Sequence, residues 1–144
     1  MTDDTSQPRD SPQLSIVVAS DKRALKTEVG ALVTTLPVEV LAPGEAVTSY
    51  RPLPFEGNDL QDYALHRARQ LSEESQLITV AEAAGLEVAA LGGRPGVRSS
   101  RFAREGATDA ENNAKLLRRL EEIADEDRTA QLRSVMAVVD PYQP

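Results

Sequence analysis

The order of apolar and polar positions along the chain predicts strands that alternate with helices. The run from Leu14 to Ala19 is short and rich in β-branched residues, as in a buried strand. A stripe of apolar residues at helical spacing follows, made of Leu25, Val29, Leu32, Val33 and Leu36. Pro37 ends this predicted helix because its ring would clash with the preceding turn. The chain therefore opens with a strand and then a helix.

The middle of the chain repeats this order after a long connection. Val38 to Leu41 predicts a short second strand, and residues 42–58 predict an irregular loop because they are rich in proline and glycine. Asp59 can cap a second helix. The apolar stripe of that helix consists of Leu60, Ala64, Leu65, Ala68 and Leu71. Leu77 to Ala81 then has the composition of a buried strand, which we expect to end at Glu82–Gly85.

Thr108 gives the clearest helix start in the chain. With Glu111 three residues later it matches a capping box, in which each side chain bonds the backbone amide of the other residue. The apolar stripe of this third helix consists of Ala110, Ala114, Leu117, Leu120 and Ala124. Before it, an extended pattern continues from Leu86 to Leu91, Gly92–Gly96 predicts turns, and residues 97–106 predict an irregular segment that carries several arginines.

These elements, together with a last strand expected over Gln131–Val139, predict an α/β domain whose helices pack on a largely buried sheet. At 144 residues the chain fits one domain, which we place at residues 13–144. Met1 to Pro12 has almost nothing to bury, so a disordered tail is expected there.

Charge and composition narrow the possible functions. The formal net charge of −7 argues against a nucleic-acid partner, because such binding depends on clustered Lys and Arg. The chain has no cysteine, which excludes disulfides and thiolate metal sites and fits a cytoplasmic location. His66 is the single histidine, so any Ser-His-Asp triad would have to be built around it. No apolar run approaches the roughly 20 residues of a membrane helix, so no membrane partner is expected.

The segment from Gly85 to Leu117 carries the most specific motifs. It contains Gly-Leu-x-Val-x-x-Leu-Gly-Gly-x-Pro-Gly over residues 85–96, Ser-x-Arg-Phe-Ala over residues 99–103 and Ala-Thr-Asp-x-x-Asn over residues 107–112. In these elements and their order, the segment strongly resembles the inosine/xanthosine triphosphate pyrophosphatase family. Weaker similarity extends back to Ile16 and forward to Val139.

This resemblance implies a fold and an activity. The expected fold is a mixed, elongated central sheet with flanking helices and a cleft between two lobes, in a chain that usually forms a homodimer. The expected reaction is the Mg2+-dependent cleavage of a deaminated purine nucleoside triphosphate to the monophosphate and pyrophosphate.

The resemblance also gives three candidate substrate-binding residues, which are Ser20, Lys22 and Arg67. Ser20 keeps the hydroxyl that the family has after its first strand. Leu25 replaces a family lysine that holds phosphate, so Lys22 or Lys26 would have to supply that charge. Arg67 stands where the family has a phosphate-contacting lysine, and this substitution keeps the positive charge.

The same comparison makes Glu56 and Glu82 the candidate metal ligands. Glu56 is the nearest match to a metal-binding glutamate of the family, and Glu82 is the first residue of the family's acidic pair. The second residue of that pair is Ala83, and no catalytic residue is assigned beyond the remaining Glu82 carboxylate. A methyl group can neither bind a metal nor accept a proton from water.

These departures lead to two expectations about activity. The sequence ends at Pro144, before the family motifs Phe-Gly-Tyr/Trp-Asp-Pro and Ser-His-Arg that hold the purine, and an open sheet edge is expected. We therefore expect a catalytically degenerate member, a pseudoenzyme that acts by binding nucleotide or by association. The alternative is an active pyrophosphatase that another chain completes.

The remaining candidates have simpler interpretations. Four loop arginines form either an anion or partner site or a solvated loop at a dimer contact: Arg94, Arg98, Arg101 and Arg104. Gly92, Gly93 and Gly96 are expected to be turn residues and His66 a helix-surface residue. Asn112 and Asn113 are expected to support the neighbouring loop.

Overall fold

The computed structural model describes residues 14–20 and 23–143, so the predicted tail lies outside the described residues. The strands are β1 (Leu14–Ala19), β2 (Val38–Leu41), β3 (Ile78–Val88), β4 (Arg94–Pro95) and β5 (Ala130–Val139). The α-helices are α1 (Arg23–Leu32), α2 (Pro43–Ala46), α3 (Leu60–Ser75) and α4 (Asp109–Leu120). Short 3-10 turns cover Ala89–Leu91, Gly96–Arg101 and Asp125–Asp127. The fold is thus α/β, with helices flanking a mixed central sheet, as predicted.

Strand β3 lies at the centre of the sheet. Its first half pairs in parallel with β1, from Ile16 opposite Ile78 to Ala19 opposite Ala81. Its other edge pairs antiparallel with β5 over ten residues, from Thr79 opposite Val139 to Val88 opposite Ala130. Because β5 supplies partners along this whole length, β3 runs through residues 82–85 without a break. The prediction that the strand ends there is wrong.

The larger core lies between α3 and one face of the sheet. Side chains of Ala81 and Ala83 point to this face, since successive strand residues alternate in direction. The α3 residues that meet them are Leu60, Ala64, Ala68 and Leu71, each at most 2% exposed. Burying a leucine stabilises a fold by about 1.5–3 kcal/mol. The predicted α3 stripe is confirmed, and Asp59 caps the helix by accepting from the Gln61 amide at 2.7 Å.

A smaller core lies on the opposite face, where Leu25 and Val29 of α1 cover Ile16 and Val18. Helix α1 ends at Leu32, four residues before the predicted end at Leu36. Those two leucines are 82% and 56% exposed. The chain has to turn here to bring β2 alongside β1, and the Leu36 amide closes that turn on the Val33 carbonyl oxygen at 2.9 Å. The last part of the predicted α1 stripe is therefore wrong.

Helix α2 is a single turn in the segment that was expected to be irregular. Pro43 begins it, and the Glu45 carboxylate accepts from the Ala42 amide at 2.6 Å. The Lys26 ammonium also donates to Glu45. These bonds, the one from Lys26 first, hold the pKa of Glu45 below its usual value. The Lys26 ammonium is thus bonded to the Glu45 carboxylate of α2.

Helix α4 begins with the predicted capping box. The Thr108 hydroxyl accepts from the Glu111 amide at 3.3 Å, and Glu111 accepts from the Thr108 amide at 2.7 Å. The hydrogen bond from the Thr108 amide, and then the one from the Arg104 guanidinium, lower the pKa of Glu111. The predicted apolar stripe is wrong except at Leu120, because the helix turns Asn112 rather than its alanines towards the rest of the fold. Leu117 is 63% exposed, and the remaining stripe residue, Ala124, lies beyond the helix end.

The face of β5 that points away from α3 is mainly apolar, and no helix among the described residues packs on it. Leu132, Met136 and Val138 are 77%, 57% and 64% exposed and point away from α3. Within the described part of the chain, β5 pairs along one edge only, with β3. No helix among the described residues is long and apolar enough to cross a membrane.

Gly85 lies where β3 touches the 3-10 turn at Gly96–Arg101. A Cβ atom at Gly85 would lie 2.1 Å from the Gly96 carbonyl oxygen. This is a backbone atom, so it cannot rotate away. Next to this contact, the Ser99 hydroxyl accepts from the Leu86 amide at 2.9 Å and donates to the Gly96 carbonyl at 2.6 Å. Because Gly85 has no side chain, this turn can pack directly on β3.

We expect Gly85→Ala to lower the free energy of unfolding by about 1–3 kcal/mol, because the added methyl group overpacks a backbone contact. Gly30→Ala in α1 is the matched control, since nothing lies within 4 Å of its added Cβ. That variant should be unchanged or more stable by about 0.5–1 kcal/mol, because alanine favours a helix. Urea unfolding measures both. Equal stability of the two variants would show that the Gly85–Gly96 contact is not this close.

Candidate functional site

Glu82 and Ala83, at the positions of the family's acidic pair, point to opposite faces of the sheet. Ala83 is 3% exposed and packs in the α3 core with Ala64 and Ala68. Glu82 points to the opposite face, because side chains alternate along β3. There its carboxylate accepts from the Ser134 hydroxyl at 2.6 Å. The α3 side of the sheet therefore presents a methyl group at this position, and Glu82 cannot replace it from the other side.

Glu56 lies on the α3 side, in the segment that leads into that helix. It follows Phe55, whose ring packs 5.0 Å from the ring of Tyr63 in α3. Glu56 lines a cavity of about 350 Å³ that is also bordered by Arg98, Arg101 and Glu105. Glu56 thus shares a cavity with two arginines and a second glutamate, on the other side of the sheet from Glu82.

These positions do not fit one magnesium site. A hard cation needs several oxygen ligands around one point. Glu56 and Glu82 lie on opposite faces, and no group of three or more His, Asp or Glu side chains in the described ranges could hold a metal. We therefore derive no chemical step through a metal ion in this chain.

The three candidate phosphate-binding residues are placed as follows. Ser20 directly follows β1, and Lys22 lies outside the described residues. Arg67 is half-buried on α3, with its guanidinium carbon 5.8 Å from the centre of the Tyr63 ring. This geometry is a cation–π contact, which restricts the orientation of the guanidinium. Arg67 and Ala83 thus lie on the same side of the sheet.

A second concentration of charge lies between the 3-10 turn and α4. It is a cavity of about 340 Å³, which we call the basic cavity, lined by Leu91, Arg94, Arg98, Arg101, Phe102, Lys115 and Arg119. The sequence pointed to three of its arginines but missed Lys115 and Arg119. Their four-residue spacing on one helix face was the signal that could have found them. Arg104, the fourth predicted loop arginine, instead pairs with Glu111 at 2.7 Å.

Asn112 connects α4 to the loop that carries these arginines. It is 7% exposed, its Oδ1 accepts from the Ala103 amide at 2.8 Å, and its Nδ2 donates to the Ser100 carbonyl at 3.1 Å. Lys115, one turn later, donates to the Phe102 carbonyl at 2.6 Å. The expected support of the loop by Asn112 is confirmed, whereas Asn113 is exposed.

The other candidates have structural roles. Gly92, Gly93 and Gly96 have φ angles of 63°, 83° and 54°, which confirms them as turn residues. His66 is half-buried on α3, and its ring packs 5.4 Å from that of Phe55. Its Nε2 lies 3.4 Å from the Leu53 carbonyl oxygen.

Comparison with known proteins gives a consistent result. A model described as the Ham1 family matches residues 16–144. The dITP/XTP pyrophosphatase of Desulforamulus reducens is 35% identical over 128 residues, covering 89% of this chain and 63% of that protein. The dITP/XTP pyrophosphatase of Geobacter sulfurreducens is 35% identical over 126 residues, covering 88% and 63%.

Two solved structures share this fold. A nucleoside-triphosphatase / dITP/XTP pyrophosphatase from Mycobacterium abscessus superposes with a TM-score of 0.81 at 35% identity, covering 89% of this chain and 66% of that one. A HAM1 protein from Coxiella burnetii gives 0.81 at 34% identity, covering 88% and 64%. The chain spans slightly less than two thirds of the length of these relatives.

We expect Asn112→Ala to lower the free energy of unfolding by about 2 kcal/mol, because the Ala103 amide and the Ser100 carbonyl lose their partner. The exposed neighbour Asn113→Ala is the control and should change little. Thermal unfolding followed by circular dichroism measures both. If the two variants unfold at the same temperature, Asn112 does not hold the arginine loop in solution.

Proposed function

Because the chain belongs to the Ham1 family, we propose that it binds nucleoside triphosphates but does not release pyrophosphate from them on its own. The ligands that fit best are deaminated purine nucleotides such as dITP and XTP, which the names of its relatives specify. In this proposal the chain acts by binding nucleotide or by association, and not by turnover.

The observation that carries this proposal is the alanine at position 83. Its methyl group is 3% exposed in an apolar core, at the position where the family resemblance expects a carboxylate that binds metal or activates water. Hydrolysis needs a group that accepts the proton of the attacking water or a metal that lowers the pKa of that water. Glu82 offers a carboxylate only on the opposite face, where it is bonded to Ser134.

Binding can survive this loss because phosphate recognition uses other residues. Arg67 keeps a positive charge on the α3 side, and its guanidinium can bond two oxygens of one phosphate. Ser20 adds a hydroxyl at the end of β1, and Lys22 adds a second cation in the sequence. These three residues are the phosphate contacts of the proposed complex.

A second candidate function follows from the uncovered face of β5. The exposed side chains of Leu132, Met136 and Val138 form an apolar surface. A polypeptide from another chain that carried the family's base-binding motifs could cover this face. Coexpression with a neighbouring reading frame that carries those motifs tests this idea, and inactivity of the combined proteins would end it.

The proposed function predicts no pyrophosphate release above buffer from dITP or XTP with magnesium at alkaline pH. The Mycobacterium abscessus relative, assayed in parallel, is the positive control. Phosphate colorimetry after added inorganic pyrophosphatase is the measurement. Steady turnover by this chain alone would refute the proposal.

Binding is tested on the same samples by thermal shift, because a ligand that binds only the folded state raises its melting temperature further as the ligand concentration increases. Millimolar dITP should stabilise the wild type, and Arg67→Ala should make that shift smaller. Arg69→Ala is the matched control, since Arg69 is exposed on the same helix. Equal shifts for the two variants would show that Arg67 does not contact the nucleotide.

A further inference from the structure

The basic cavity is lined by positive charge although the chain as a whole is acidic. The chain has a formal net charge of −7 and 16 Lys and Arg residues. Five of these basic side chains line this one cavity, and no acidic residue does. A cleft lined by one sign of charge concentrates the opposite sign from solution.

The cations of this cavity differ from the cations elsewhere in the fold that form ion pairs. Elsewhere a carboxylate lies beside the cation, as in the pairs Lys26–Glu45, Arg104–Glu111, Arg128–Asp125 and Arg133–Glu87. In contrast, the five cations of the basic cavity have no carboxylate partner among the residues that the structure describes. Arg98 and Arg101 also border the neighbouring cavity that holds Glu56 and Glu105, but neither of these carboxylates forms an ion pair with them.

The cavity is also structurally fixed on two sides. The Lys115 ammonium donates to the Phe102 carbonyl at 2.6 Å and lies 4.7 Å from the centre of the Phe102 ring. Arg94 Nε donates to the Leu91 carbonyl at 3.1 Å. These bonds hold two of the cations in place, while Asn112 fixes the loop that carries Arg98 and Arg101. Pre-positioned donors lose little entropy when they bind a ligand.

From this arrangement we propose that the basic cavity binds a compact anion with two or more phosphate groups, of which inorganic pyrophosphate is the smallest. A single phosphate group carries a charge of only about −1.5 to −2, too little to balance five cations. Guanidinium groups bond phosphate oxygens in pairs, which matches a wall made mainly of arginines. The volume of about 340 Å³ is that of a small-molecule site.

A long polyanion fits less well than a compact one. The chain that follows Arg119 is acidic and exposed, with Glu121, Glu122 and the turn Asp125–Asp127. A nucleic acid passing through the cavity would meet these carboxylates, whereas a compact ligand would contact only the cavity wall. The cavity also shares no residue with Ser20, Lys22 and Arg67, so this inference does not depend on nucleotide binding there.

The test is isothermal titration of the full chain with sodium pyrophosphate, with no magnesium present, and with orthophosphate as the comparison ligand. The double variant Arg98→Gln/Arg119→Gln removes two exposed cavity cations. The matched control, Arg69→Gln/Arg118→Gln, removes two exposed arginines outside the cavity and changes the net charge equally. Circular dichroism checks that each variant is folded.

We expect the wild type to bind pyrophosphate more tightly than orthophosphate, and the cavity variant to bind it at least about tenfold more weakly than the control variant does. Three results would each overturn the proposal. These are no heat of binding to the wild type at millimolar pyrophosphate, equal affinities of the two double variants, and orthophosphate binding as tight as pyrophosphate binding. The dITP shift that depends on Arg67 is measured separately, so either proposal can fail without the other.

Discussion

Strand β3 is paired along both of its edges, and this pairing sets the arrangement of the sheet. β1 and β4 occupy one edge and β5 the other, so a single strand joins the parallel and antiparallel parts of the sheet. Because this strand is unbroken, its side chains alternate without a change of phase from Ile78 to Val88. That alternation decides which residues enter the α3 core and which point to the opposite face.

The chemistry of the candidate site follows from this alternation. A slip of one residue would exchange Ala83 and Glu82 between the two faces and bring a carboxylate to the side of Arg67. The pairing with β5 prevents that slip, since ten consecutive partners would have to move together. In the proposed function, the α3 side therefore keeps the guanidinium of Arg67 but has no carboxylate at position 83 that could activate water.

The sequence predicted those elements that depend mainly on residues a few positions apart. β1, β2, α3, β5 and the capping box at Thr108 were predictable because their apolar spacing or cap residues act within a few positions. The continuation of β3 through Glu82–Gly85 was not, because small residues there resemble a strand end and only the distant β5 makes them a strand. Lys115 and Arg119 carry a local signal in their four-residue spacing, but their place beside the arginine loop depends on the Asn112 bonds to Ala103 and Ser100.

The orientation of Ala83 decides which face of the sheet carries a carboxylate, and a methyl-selective nuclear Overhauser experiment measures that orientation. We expect cross-peaks from the Ala83 methyl group to methyl groups of Leu60, Ala64 and Ala68, which share its core. Cross-peaks from Ala83 to the methyl groups of Leu132 and Met136 would contradict it. They would place position 83 on the face opposite α3 and bring the carboxylate of Glu82 to the side of Arg67.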